Sequence, residues 1–236
     1  MKKLLPLLVL AVLALPGTAV SADIPSSIRS KNAIAKIKPK LETELKKVGL
    51  TFGSPVYMRI FKESDELELW VQKAGKFELF KTYKICYFSG NLGPKQQLGD
   101  GQSPEGFYFV KPNQLNPYSQ FHLSFNVGYP NAYDRSHGRT GSALMVHGNC
   151  VSIGCYAMTD AKIEEIYALA DAALRNGQSF FRVHIFPFRM TGNNMEKHKH
   201  SRWHDFWKNL KEGYDIFETE KIPPNVIVRN KRYAFD

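Results

Sequence analysis

The sequence predicts an α+β fold, a single mostly-β domain with flanking helices. Three observations carry that expectation. Between Ser54 and Ile85 apolar residues recur at every second position. Between Asp160 and Asn176 they recur every three or four. No internal repeat, low-complexity linker or shift in composition divides the 236 residues.

Each element follows from local pattern. Lys2 and Lys3, the apolar run Leu4 to Leu15 and the small residues up to Ala22 read as an export signal spanning 1–22. The run is short and ends at Pro16-Gly17, which favours cleavage over a stable membrane anchor. Residues 23–50 form an N-terminal helical arm through Ile34, Ile37, Leu41, Leu45 and Val48, with Pro39 interrupting it or starting a second helix. A catalytic domain is expected over 51–190. In it Val56, Met58 and Ile60, then Leu67, Leu69 and Val71, then Phe77 to Ile85 form a β-meander turning at Lys73-Ala74-Gly75-Lys76. Gly90 to Gly101 is a loop with four glycines. Phe107 to Val110 and Phe121 to Val127 are strands, residues 128–142 a polar loop, and Leu144-Met145-Val146 a short buried strand that delivers His147. A helix runs from about Asp160 to Asn176, capped by Thr159 or Asp160, and Phe180 to Phe186 is a strand. The remainder, 191–236, is an extension packed on the same domain. It holds an amphipathic helix marked by Trp203, Phe206, Trp207 and Leu210 and closed by Gly213, then a strand or hairpin over 226–235.

Lysines and arginines number 32 against 22 acids, a net charge of +10, or about +8 once the signal is removed. That excess suits an anionic partner: nucleic acid, anionic lipid or a carboxylate-rich wall polymer. Export argues against nucleic acid and sets the compartment as periplasmic or extracellular, where disulfides form. The three cysteines, Cys86, Cys150 and Cys155, leave at least one thiol unpaired within the chain. A spare thiol in an oxidising compartment is a liability unless it does chemistry.

The segment His147-Gly148-Asn149-Cys150-Val151-Ser152-Ile153-Gly154-Cys155-Tyr156 carries that chemistry. A strand ends at His147, a turn containing Gly154 presents Cys155, and a helix begins shortly after. An imidazole or a helix N-terminus near a thiol favours the thiolate, which attacks a carbonyl while the imidazole manages the proton. Amides around Gly154 and Cys155 are candidate oxyanion donors. Spacing alone is a weak signal, because a His and a Cys eight residues apart are equally at home in a core.

His-Gly followed by Ser-x-Gly-Cys resembles the active-site signature of the L,D-transpeptidase catalytic domain, the YkuD family. Ser103-Pro104-Glu105-Gly106-Phe107 is similar to that family's strand-opening motif. Gly53 to Tyr57, Ser89 to Gln96, Pro130 to Arg135, Gly148 to Thr159 and Pro187 to Met190 are similar to its YafK branch, also called DpaA. The resemblance implies an L,D-transpeptidase-like fold, Cys155 as nucleophile toward the L-centre carbonyl of meso-diaminopimelate, His147 as its base, and Ser152, Gly154 and Tyr156 shaping the turn. Most of the family has His where Ile153 stands and Arg where Ala157 stands. The branch that shares these departures is associated with hydrolysis of the amide between diaminopimelate and the C-terminal lysine of a Braun-type lipoprotein. The implied partners are peptidoglycan stem peptides and peptidoglycan-bound lipoprotein, and no metal or organic cofactor is required. The competing readings are a transpeptidase that forms cross-links or attaches lipoprotein, and a non-catalytic wall-binding protein.

Cys86–Cys150 is the pairing that leaves Cys155 free; Cys150–Cys155 would silence it. A metal site of His147, Cys150 and Cys155 lacks a fourth ligand. His198, His200 and His204 lack the glutamate of a zinc protease helix. Asn131, Tyr133, Asp134 and Arg135 lie in the loop before the catalytic strand and are candidate substrate-binding residues. Arg135 or Arg139 is a candidate partner for a stem-peptide carboxylate.

Overall fold

A computed structural model describes residues 24–236. The export signal expected over 1–22 lies outside the described residues, and among these no helix is long and apolar enough to cross a membrane.

Helix α1 (Ile28–Lys47) starts with a capping box between Ser27 and Ser30 and continues through Pro39. The expected interruption does not occur. Proline removes one amide donor, but the helix is held from its buried side by Ala33, Leu41 and Leu45. It lies along α3 (Asp160–Arg175), and Arg29 donates to the Ser119 and His122 carbonyls.

The meander forms β1 (Val56–Phe61), β2 (Glu66–Lys73) and β3 (Lys76–Lys84). With β5 (Gly106–Val110) and β10 (Phe181–Phe186) it makes a five-stranded sheet in the order β3-β2-β1-β10-β5. Only β1 and β10 run parallel in it. A second sheet has the order β4-β9-β8-β7-β6, built from β4 (Tyr87–Phe88), β6 (Leu115–Asn116), β7 (Ser124–Asn126), β8 (Met145–His147) and β9 (Tyr156–Ala157). One core joins Met58, Ile60, Val183 and Ile185 of the first sheet with Phe125, Val146 and Tyr156 of the second and Ile163, Ile166 and Tyr167 of α3.

All six residues of β1 are buried. A meander open to water on one face would bury only alternate residues. Here the second face is covered by α5 (His204–Glu220) and the hairpin β11 (Val226–Arg229) and β12 (Arg232–Phe235). Phe61, Phe107, Phe186, Trp207, Leu210, Tyr214 and Tyr233 form the core on that side. Arg59 also faces it. Its guanidinium meets Glu68 at 2.8 Å and Glu218 at 2.6 Å, above the rings of Trp70 and Phe217.

Three expectations need correction. Phe121 to Val127 is a strand only over β7, because Phe121 turns out of line onto His147 and His122 has φ 66°. The polar loop 128–142 contains a helix, α2 (Ala132–Ser136), capped by Asn131. Gly213 does not close α5; the helix runs on to Glu220, and Gly213 is buried within it. A Cβ at 213 would stand 2.4 Å from Phe235 and 2.7 Å from Phe107, so glycine is required here by close packing. The short α4 (Gly192–Lys197) precedes α5.

Gly213→Ala is therefore expected to destabilise the fold. The helix-propensity gain of about 1 kcal/mol is outweighed by overpacking against two rings, about 1–3 kcal/mol. A lowered urea midpoint checks this; a raised one would contradict the packing account.

Candidate active site

Strands β8 and β9 run side by side in parallel, pairing Val146 with Tyr156 and His147 with Ala157. Continuing that register by one residue puts Cys155 beside Met145. Side chains two apart on a strand share a face, so the register brings Cys155 to the face of β8 that carries His147. Cys155 Sγ accepts the Met145 N–H at 3.3 Å and its thiol donates to the Ala143 carbonyl at 3.8 Å.

His147 is buried, 2 % exposed, beneath the Phe121 ring at 4.7 Å between centroids. Its Nδ1 donates to the Gly148 carbonyl at 2.6 Å. That bond fixes the tautomer, with Nε2 the unprotonated ring nitrogen. Burial pushes the imidazole below its ordinary value, with the Gly148 carbonyl acting in the opposite sense. Burial likewise pushes the Cys155 thiol up, while the Met145 N–H and the charge of Lys95 pull it back. The resting pair is therefore a neutral thiol and a neutral imidazole.

The turn between them is built from Ser152 and Gly154. Ser152 Oγ accepts the Gly154 N–H at 3.0 Å and donates to the Cys155 carbonyl at 2.7 Å. The Gly154 amide is thus spent inside the turn, which removes it from the expected oxyanion donors. Gly154 has φ 150°, and a Cβ there would stand 3.4 Å from Leu144. Tyr156 shapes the site from below: it is buried against Phe88 and its hydroxyl donates to the Pro104 carbonyl at 2.7 Å. Cys86 and Cys150 are joined in a disulfide with Cα atoms 5.3 Å apart, and Cys155 is the free cysteine. Cys150 is thereby unavailable as a metal ligand. His198 is engaged elsewhere, stacked on Phe188 and bonded to Glu63. Among the described residues no group of three or more His, Cys, Asp or Glu is placed to hold a metal.

The expected substrate loop is different in kind. Asn131 and Asp134 cap α2 reciprocally. Asp134 is fully buried, accepting from Tyr108 at 2.9 Å and pairing with Arg139 at 2.8 Å. Tyr133 stacks between His137 and Tyr233. Arg135 donates to the Pro130 carbonyl. These side chains build the loop's internal frame, and Arg139 is not free for a substrate carboxylate. Asn131 followed by an acid three positions on is a capping signal that the substrate-loop expectation did not use.

Other residues at the site went unread. Ser103 is fully buried and its Oγ donates to the Cys155 carbonyl at 3.4 Å. Asp160 Oδ1 accepts the Asn149 N–H at 2.8 Å, holding the turn to the start of α3. Behind Ser103, Lys62 and Glu105 form a fully buried pair at 3.1 Å. Lys62 Nζ also donates to the carbonyls of Asn91, Gly93 and Ser103. Glu105 accepts from the Gly93 N–H and the Trp207 indole. The signal available was the Ser-Pro-Glu-Gly-Phe motif, quoted for its family likeness and not for its carboxylate.

The sequence pattern of the L,D-transpeptidase catalytic domain, YkuD, matches residues 63–185, which contain this site. The chain belongs to that family. A curated relative in Escherichia coli strain K12, named "Putative L,D-transpeptidase YafK", is 48% identical over 227 residues, covering 96% of this chain and 88% of its own. Among solved structures, the helical cell shape determining protein Pgp2 of Campylobacter jejuni (K307A mutant) aligns with TM-score 0.46 and 19% identity over 81% of this chain and 65% of that one. Bd1075 of Bdellovibrio bacteriovorus aligns with TM-score 0.43 and 17% identity over 78% and 83%. The L,D-transpeptidase family consists of cysteine-dependent enzymes that act on peptidoglycan stem peptides, and therefore outside the cytoplasm.

Two outcomes follow. Cys155 alkylation is expected to be slow at neutral pH and to rise only above the ordinary thiol range, since burial favours the neutral form; rates flat down to acid pH would mean a preformed ion pair. Glu105→Gln should cost about 3–5 kcal/mol, because it leaves a buried ammonium without its counter-charge. Urea unfolding would measure that, and an unchanged midpoint would show the pair to be dispensable.

Proposed function

We propose that the protein is a cysteine amidase that cuts the bond between peptidoglycan meso-diaminopimelate and the C-terminal lysine of a Braun-type lipoprotein. The observation that carries this reading is the pair of side chains beside the nucleophile. Ile153 is 91 % exposed and Ala157 is fully buried. Neither offers an imidazole or guanidinium, and those are the groups most of the family would place near an acyl carbonyl. The 48% identity with YafK over nearly the whole chain supports the same branch.

The chemistry uses the residues in hand. The Cys155 proton, now directed at the Ala143 carbonyl, passes to His147 Nε2 as the sulfur attacks the diaminopimelate carbonyl. With the Gly154 N–H engaged, the Cys155 N–H is the turn amide assigned to the developing oxyanion. As the tetrahedral intermediate collapses the C–N bond breaks, and the imidazolium returns its proton to the departing lysine amine. Water then attacks the thioester, His147 takes its proton, and the thiol is restored with a free diaminopimelate carboxylate. Because His147 is held below its ordinary value, it remains neutral, hence a competent base, throughout the neutral range. Activity should fall only at a pH below the ordinary imidazole value.

The relative's name favours a second reading, in which an amine rather than water resolves the acyl-enzyme. The test is incubation of the mature protein, and its Cys155→Ala variant, with peptidoglycan bearing bound lipoprotein, followed by mass spectrometry. Lipoprotein released with a free C-terminal lysine, leaving diaminopimelate tripeptide on the wall and abolished in the variant, is the expected result. New diaminopimelate cross-links or newly attached lipoprotein would establish the transpeptidase instead. No Cys155-dependent change would overturn both and leave a wall-binding protein.

A further inference from the structure

A cation near a reacting thiol stabilises its thiolate. The position where most of the family carries arginine is Ala157 in this chain, and its methyl is buried in β9. A positive charge reaches the sulfur from another segment. Lys95, in the loop between β4 and β5, is buried, only 4 % exposed. Its ammonium donates to Asp100 Oδ1 at 2.5 Å and to the Gln97 carbonyl at 2.9 Å. Asp100 is itself fixed by the N–H groups of Gln96, Gln97 and Gln102 at 2.8, 3.0 and 3.0 Å.

The two segments that hold Cys155 enclose this lysine. On one side its stem crosses Gly141, where a Cβ would stand 3.0 Å from Lys95 Cε and where φ is 114°. Two residues further, the Ala143 carbonyl accepts the Cys155 thiol. On the other side Gln102, bonded to Asp100, has its carbonyl 3.7 Å from where a Gly154 Cβ would be. The next residue, Ser103, donates to the Cys155 carbonyl. Burial raises the Cys155 thiol, and Lys95 is the charged side chain whose field acts on the sulfur in the opposite sense, the one that favours the thiolate. Asp100 holds the Lys95 ammonium at 2.5 Å, so the two charges move as one unit. Other titratable groups near the cysteine include His147 on β8, Tyr156 on β9 and, behind Ser103, the Lys62–Glu105 pair.

We propose that Lys95, anchored by Asp100, is the positioning cation for the Cys155 thiolate. It acts through the sulfur and need not touch substrate. The inference requires only that Cys155 is the reactive thiol, and it is independent of which bond the enzyme cuts.

Alkylation of the disulfide-intact protein by iodoacetamide across pH reads Cys155 alone, since it is the free cysteine. In Lys95→Met the profile should move to higher pH, and the rate at pH 7 should fall about three- to tenfold. Lys95→Arg should retain most of the wild-type rate. Asp100→Asn, which removes the opposing charge, should move the profile to lower pH. A folded Lys95→Met protein whose profile superimposes on wild type would overturn the proposal. So would equal shifts in the same direction for Lys95→Met and Asp100→Asn, which would indicate loop disruption. If Lys95→Met does not fold, the direction of the Asp100→Asn shift decides. No substrate is used, so a negative amidase assay leaves this result intact, and the converse holds.

Discussion

The ammonium of Lys62 and the carboxylate of Glu105 lie side by side with no exposure to water. Taking two such charges out of water is costly, and their attraction compensates only where the remaining donors and acceptors are satisfied. Here they are. Three carbonyls of the loop between β4 and β5 share the ammonium, and the carboxylate takes a loop amide and the Trp207 indole. Burial still pulls Lys62 below its ordinary value, with Glu105 opposing that shift. The pair ties together three elements distant in sequence: the end of β1, the loop that walls the cysteine, and α5. Ser103 shows how short the path is, since its carbonyl meets Lys62 while its hydroxyl meets the Cys155 carbonyl.

That arrangement gives the C-terminal extension a role in the site it does not itself contain. Helix α5 covers the outer face of the first sheet and presents Trp207 to Glu105. The same helix supplies Glu218 to Arg59. Burial acts against the Glu218 carboxylate, yet Lys221 and Arg59 together hold it down to about 2. Its ion pairs therefore persist at every pH at which the proposed neutral-imidazole mechanism can run. The matched family segment ends at residue 185, so the part of the chain beyond it completes the sheet's second face and braces the active-site wall.

What the sequence revealed depended on whether a residue's role was local. The period-two run of β1 to β3, the start of α3 after Thr159 and the strand delivering His147 are all set by neighbours in the chain, and each was legible. Gly213 was read as a helix stop because the rings that require it, Phe107 and Phe235, come from strands over twenty residues away on one side and a hundred on the other. Arg59 and Glu68 occupy positions that alternation would assign to solvent, and the extension folding over the sheet makes them internal. In the candidate site, the strand end at His147 and the unpaired Cys155 were legible from motif and cysteine arithmetic. The hydroxyl of Ser103, the anchor at Asp160 and the charge at Lys95 were not, because each reaches the site through space.

The resting electrostatics also bear on how one free cysteine coexists with a disulfide. Cys150 and Cys155 share a single turn, and exchange between a thiolate and a neighbouring disulfide proceeds through the thiolate. A site holding Cys155 as a preformed thiolate would expose the Cys86–Cys150 bond to attack and the sulfur itself to oxidation. Burial keeps the thiol neutral instead, and burial keeps His147 neutral beside it. In the proposed mechanism, reactivity then waits for a substrate carbonyl, when proton transfer to Nε2 and carbon–sulfur bond formation proceed together. A nearby cation sets the limit on that restraint: enough positive field to make the thiolate reachable during attack, too little to make it the resting state. The offset of Lys95 by Asp100 provides that balance.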